Sequence, residues 1–178
     1  MATYRSAGNF YEQKKITFGE AVYSGALAGI IAGIVMSMVA MAFAVMMGQE
    51  IWAPVKMIAV TVLDDAWLNR PGFHMLPMMV GMMIHFATAI GFGILFALMG
   101  GRFSVGRAIG RGIVYGLGIW LVMQFLVLPI INPVMADMPY LPFAIEHMFF
   151  GGFLGVYPAF LPPLSKSQAN MQRERLAA

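Results

Sequence analysis

Residues 21–47 read AVYSGALAGIIAGIVMSMVAMAFAVMM. No residue in this run is charged, and a helix needs only about 20 apolar residues to cross a lipid hydrocarbon core. The run is read as a membrane-spanning helix. It is too long for the apolar part of a secretory leader, and no small-residue cleavage site follows a short apolar region, so the polar N-terminus is expected to be retained. Inside it Gly25, Gly29 and Gly33 recur at a spacing of four, which bares the backbone along one face and lets another helix approach closely.

Three further stretches have the same character. They run from Leu76 to Met99, from about Ala108 to Ile131, and from Leu141 to Leu161. Across the 178 residues 60% are hydrophobic and 11% charged, against about 25% charged in an ordinary soluble domain. The expectation is a single all-α integral membrane domain of four spans joined by short loops. Gly106/Gly110 and Gly112/Gly116 in the third span, and Gly151/Gly155 in the fourth, repeat the small-residue device. They predict packing seams within the bundle before a homodimer seam. With no cysteine in the chain, disulfides, thiolate metal sites and cysteine catalysis are excluded.

Charge sets the orientation. Arg5, Lys14 and Lys15 precede the first span, Arg102, Arg107 and Arg111 lie between the second and third, and Lys166, Arg173 and Arg175 follow the fourth. Only Lys56 and Arg70 fall in the other connections, beside Glu50, Asp64, Asp65 and Asp137. The positive-inside rule then puts both termini in the cytoplasm, with tails at 1–18 and 164–178. The basic balance follows from membrane orientation and gives no case for nucleic acid. Attraction of the basic rim to anionic membrane lipid needs no protein partner.

The longest connection, from Gly48 to Phe73, contains an apolar segment at 54–63 too short to span. Pro54 suits the first turn of a helix, and Trp52 and Trp67 bracket the segment as interfacial residues do. A short helix is expected there, lying at the outer surface or dipping into the membrane. The second outer connection, Pro129 to Pro142, holds four prolines and is expected to be an ordered, non-helical turn. Ile51-Trp-Ala-Pro-Val55 and Ile130-Ile-Asn-Pro-Val134 suggest a two-helix internal repeat.

Trp52-Ala-Pro-Val-Lys-Met-Ile-Ala59, Gly81-Met-Met-Ile-His-Phe86 with Gly91 and Gly93, and Glu146-His-Met-Phe-Phe-Gly151 resemble segments of a group of small four-span bacterial inner-membrane proteins. The resemblance covers about residues 20 to 160. It implies a four-helix fold in the bacterial inner membrane and brings no substrate, cofactor or catalytic residue.

Ionisable groups inside a span are functional candidates by default. His85 and His147 are expected at similar depth in the outer half of the bundle. Each suits an interhelical hydrogen bond. Together they suit a b-type haem held between helices, and one imidazole alone suits the magnesium of bacteriochlorophyll. Glu146 reads as a first-turn carboxylate favoured by the helix dipole, with a proton relay to His147 as the alternative. Met75, Met78, Met79, Met82 and Met83 form a stripe near His74 and His85. Met75, Met79, Met83 and His85 are the candidate Cu(I) ligands, thioether and imidazole being suitable donors. The spacing is similar to that of copper-importing channels, which are three-span trimers. Gap-filling is the stronger explanation of the methionines, with 18 in the chain. Ser37 and Thr88 read as helix–helix hydrogen bonders.

No nucleophile–base–acid set, His-Glu-x-x-His or phosphate-cradling loop is present, so no enzyme is expected. The leading expectation is a structural or accessory subunit of a larger bacterial membrane complex of the electron-transfer or photosynthetic kind. A small transporter or copper-handling protein, and a haem- or pigment-binding protein, stand as alternatives.

Overall fold

A computed structural model describes residues 16–163 and Glu174. The expected tails therefore lie almost wholly outside the described residues, with Arg5, Lys14, Lys15, Lys166, Arg173 and Arg175. All regular structure among the described residues is helical.

The first helix, α1 (Phe18–Met46), begins three residues before the expected span because of its cap. Thr17 and Glu20 form a capping box, with Glu20 N–H donating to Thr17 Oγ1 (3.2 Å) and Thr17 N–H to Glu20 Oε2 (2.8 Å). Two otherwise unpaired backbone donors are satisfied in this way. At the other end Gly48 turns the chain at φ 74°, a conformation open to glycine. The short helix α2 (Ala53–Ala59) starts with Pro54 in its first turn, as expected. A 3₁₀ turn at Asp65–Asn69, capped by Asp64, leads to α3 (Met75–Met99).

Next comes α4 (Val105–Val122), which continues through a π turn at Met123–Val127 into α5 (Leu128–Ile131). Pro129 lacks the N–H that would bond one turn back, and a wide turn just before it absorbs the mismatch without breaking the rod. The connection from Pro129 to Pro142 is more helical than expected. It contains α5, α6 (Pro133–Ala136) and the start of α7 (Tyr140–Leu154). Pro133 sits at a helix start, where a missing N–H removes no bond.

Among the described residues three helices are long and apolar enough to cross a membrane: α1, α3 and the rod Val105–Ile131. The fourth apolar stretch differs from expectation. Its helix α7 has 15 residues, about 22 Å at 1.5 Å per residue, and stops at Gly155 before a 3₁₀ turn at Tyr157–Phe160. Pro158 falls inside that turn.

The helices run end to end past one another. At one end Arg102 Nη2 donates to Glu20 Oε1 (2.7 Å) and Nη1 to the Pro162 carbonyl (2.9 Å), while Tyr157 OH donates to the Gly101 carbonyl (2.6 Å). The start of α1, the α3–α4 connection and the chain after α7 therefore meet there. At the opposite end Asn132 Nδ2 donates to the Met57 carbonyl and to Thr61 Oγ1, both at 2.8 Å, joining the α1–α3 connection to the α5–α6 connection.

Helix α1 packs along both α3 and α7, and α4 packs along α7. The glycine pattern explains the closeness. A Cβ on Gly25 would sit 2.6 Å from the Gly93 carbonyl oxygen, and one on Gly29 would sit 2.5 Å from that of Ala89. Across the α4–α7 seam, Gly112 and Gly116 face Gly151, and Gly155 faces the Ile109 backbone. Gly33 is looser, meeting the Ala89 and Phe86 side chains. Gly106 and Gly110 are a correction: they have open space beside them and form no internal seam.

The two glycine classes should separate in thermal unfolding in detergent. Gly112→Ala is expected to destabilise by about 1–3 kcal/mol through overpacking. Gly106→Ala and Gly110→Ala are expected to be neutral or to stabilise by about 0.4–1 kcal/mol each.

Candidate functional site

The segments Trp52–Ala59, Gly81–Phe86 and Glu146–Gly151 are distant in sequence and meet in space. Pro54, Val55 and Ile58 of α2, Met82 and His85 of α3, and Glu146 of α7 line one cavity of about 40 Å³. Gly81 makes this possible. Its bare Cα lies against the Val55 carbonyl, so α2 lies directly on α3.

His85 ties α3 to α1. Its Nε2 lies 3.0 Å from both the Gly33 carbonyl oxygen and Ser37 Oγ. A carbonyl only accepts, so Nε2 carries the proton and has no lone pair to offer a metal. Ser37 thus joins two helices, whereas Thr88 donates to Ile84 of its own helix (2.7 Å). His147 is buried and its Nδ1 donates to the Phe143 carbonyl one turn back (2.9 Å). The two imidazoles are therefore anchored to different helices. The cavity beside His85 suits one or a few water molecules. Sites for bound small molecules are nearer 300 Å³ and above, so a tetrapyrrole would need the helices to part.

Glu146 departs from its expected setting. It is the seventh residue of α7 and lies past the first turn. It is only 3% exposed, and among the described residues no hydrogen bond reaches its carboxyl. Its side chain borders the same water-sized cavity as His85.

The methionine stripe is split by the helix. Met75, Met79 and Met83 are 63%, 56% and 69% exposed, whereas Met78 is buried and Met82 turns into the cavity with His85. The structure therefore gathers three thioethers on an open face and points His85 elsewhere, toward α1.

A feature missed in the sequence is Lys56. It is fully buried, paired with Glu50 and bonded to the Arg70 carbonyl. The Gly72 N–H donates to Glu50 Oε2 (2.7 Å), so one ion pair holds both arms of the Gly48–Phe73 connection. Trp52 packs edge-on against Phe73, and Arg70 lies 4.4 Å over the Trp67 ring. The lone cation in the apolar run Pro54–Ala59 was the available signal. Gln124 and Asn132 are also buried; Gln124 Nε2 donates to the Ala136 carbonyl (2.6 Å) beside the π turn.

At the opposite end a groove of about 270 Å³ opens between α3, α4 and the 3₁₀ turn after α7. Aromatic rings and Arg111 line it.

No protein-family model matches the chain, nor does any curated protein or any solved structure.

Burial pushes the Glu50 carboxyl up, but the Lys56 hydrogen bond, the Gly72 N–H and the Lys56 and His74 charges outweigh it and hold it below the usual value of 4.5. A lowered carboxyl contributes stability above its unfolded value and loses it as pH falls through the folded one. The latch should therefore survive mild acid and open below pH 4.5. Tryptophan fluorescence of Trp52 and Trp67 should report that transition, and Glu50→Gln should abolish its pH dependence. Replacing His85 by Phe should weaken unfolding stability by about 0.6 kcal/mol, at most ~1.7 kcal/mol, the range for interhelical hydrogen bonds in bilayers.

Proposed function

We propose that this chain is a non-catalytic structural subunit of a larger complex in the bacterial inner membrane. One observation carries the reading. Gly106 and Gly110 stand one turn apart on α4 with open space beside them, as Gly118 on α4 and Gly91 on α3 also have, whereas every glycine in the two internal seams meets a neighbouring helix. Glycine in a helix interior costs about 1 kcal/mol relative to alanine. Close packing offsets that at Gly112 and Gly116, and a helix from another subunit would do so at Gly110, with Gly106 in the first turn continuing the same open face.

In this reading the chain crosses the membrane four times. Helix α7, about 22 Å long, and the 3₁₀ turn after it, about 8 Å, together approach the ~30 Å hydrocarbon thickness. The meeting of Glu20, Arg102 and Pro162 supports an even number of crossings between them. The basic residues at that end support a cytoplasmic location for it and for both tails. The chain then belongs with the small four-span bacterial inner-membrane proteins that its three segments resemble.

The test is a gentle-detergent purification from native membranes, followed by a native gel and an absorption spectrum. Co-migration with other subunits is expected. Gly106→Leu with Gly110→Leu should release them while leaving the isolated chain's melting temperature unchanged. A stable monomer without companions would refute the subunit reading. A Soret or bacteriochlorophyll band that travels with the isolated chain and disappears in His147→Leu would replace it with a pigment-binding one.

A further inference from the structure

We propose that the groove between α3 and α4 at the Arg102 end binds one anionic phospholipid, with its phosphate on Arg111 and Arg107 and an acyl chain along the aromatic wall. The wall is built from Phe96, Met99, Phe103, Val114 and Tyr115, with Arg111 beside them. Its two phenols are already engaged. Tyr115 OH donates to the Phe92 carbonyl (3.2 Å), and Tyr157 OH donates to the Gly101 carbonyl. What faces the groove is therefore ring and methyl surface, the natural companion of a hydrocarbon chain.

The cations differ in the same sense. Arg102 is held by Glu20 and by the Pro162 carbonyl. Arg111 has no carboxylate partner among the described residues, and its guanidinium lies 3.9 Å over the Phe103 ring. Arg107, one turn earlier on the same side of α4, reaches only the Ser104 hydroxyl (3.2 Å) among the described residues. Arg111 at the apolar groove, with Arg107 one turn away on the same helix face, matches an amphiphile with a negative head. Basic pockets between membrane helices bind acidic head groups in this way. A zwitterionic lipid carries its own cation beside the phosphate and offers the arginines no net charge, and free phosphate would leave the groove unfilled. The site is distinct from the open glycine face, since Gly110 and Arg111 point about 100° apart around the helix.

The experiment is native mass spectrometry of the full chain in non-ionic detergent, with phosphatidylglycerol, phosphatidylcholine or inorganic phosphate added. One retained phosphatidylglycerol is expected, with much less phosphatidylcholine and no competition from phosphate. Arg111→Gln should lower retention about fivefold, the worth of one basic residue against an acidic lipid. Val114→Trp, which fills the groove and leaves both arginines in place, should lower it as well. Melting of both variants in lipid-free detergent should match the unmodified chain, since both positions are exposed. Equal retention of the two lipids, or unchanged retention in both variants, would overturn the proposal. Competition by phosphate at equal concentration would reduce the site to a soluble-anion site.

Discussion

The contact of bare backbone on bare backbone is the constraint from which this structure follows. Lipid removes the hydrophobic drive that pairs helices in water, so association depends on dispersion and on the few hydrogen bonds that close approach permits. Gly25 and Gly29 against Gly93 and Ala89 set one crossing, and Gly112 and Gly116 against Gly151 set the other. The core beside these seams is small-residue packing, with Ala21, Ala28, Ala32, Ala97 and Ala108 all essentially inaccessible. Helix α7 is held by α4 on one side and α1 on the other.

Polar groups then serve as local ties at the ends and in the middle. His85 fastens α3 to α1 through Gly33 and Ser37, which it can reach because the seam below them is tight. Lys56 and Glu50 fasten the Gly48–Phe73 connection, and Asn132 fastens it to the second connection. Arg102 does the same at the other end with Glu20. Each tie satisfies groups that would otherwise be costly in a medium without water. The groups left over stand out against that economy. Arg107 and Arg111 lack carboxylate partners among the described residues, and Glu146 borders a cavity with no hydrogen bond.

Much of the architecture was legible because membrane helices announce themselves by length and apolarity. The first three spans appear within a few residues of their expected limits, with α1 extended by the Thr17 capping box. The short helix after Pro54 was legible from proline's preference for a first turn. The fourth stretch was harder. Its apolar residues continue past Gly155, yet the helix stops, because hydropathy does not register Pro158 or the Tyr157 bond to Gly101. The Pro129–Pro142 connection was misread for a related reason: proline breaks a helix interior but starts a new helix readily.

Residue types and spacing determined by themselves that this is a helical chain with membrane-crossing segments, and which glycines could act as seams. They could not determine which glycine faces which helix, because identical four-residue spacings in α4 serve an internal seam at Gly112/Gly116 and open space at Gly106/Gly110. Rotation about the helix axis, set by the neighbours, made that choice. The same rotation separated Met75, Met79 and Met83 from His85. It also turned Glu146, which lies past the first turn of α7, into the interior. Lys56, unremarkable on paper as one charge in an outer connection, became the buried centre of a latch only when α2 settled on Gly81. Periodicity reports that a face exists, and only packing decides what that face meets.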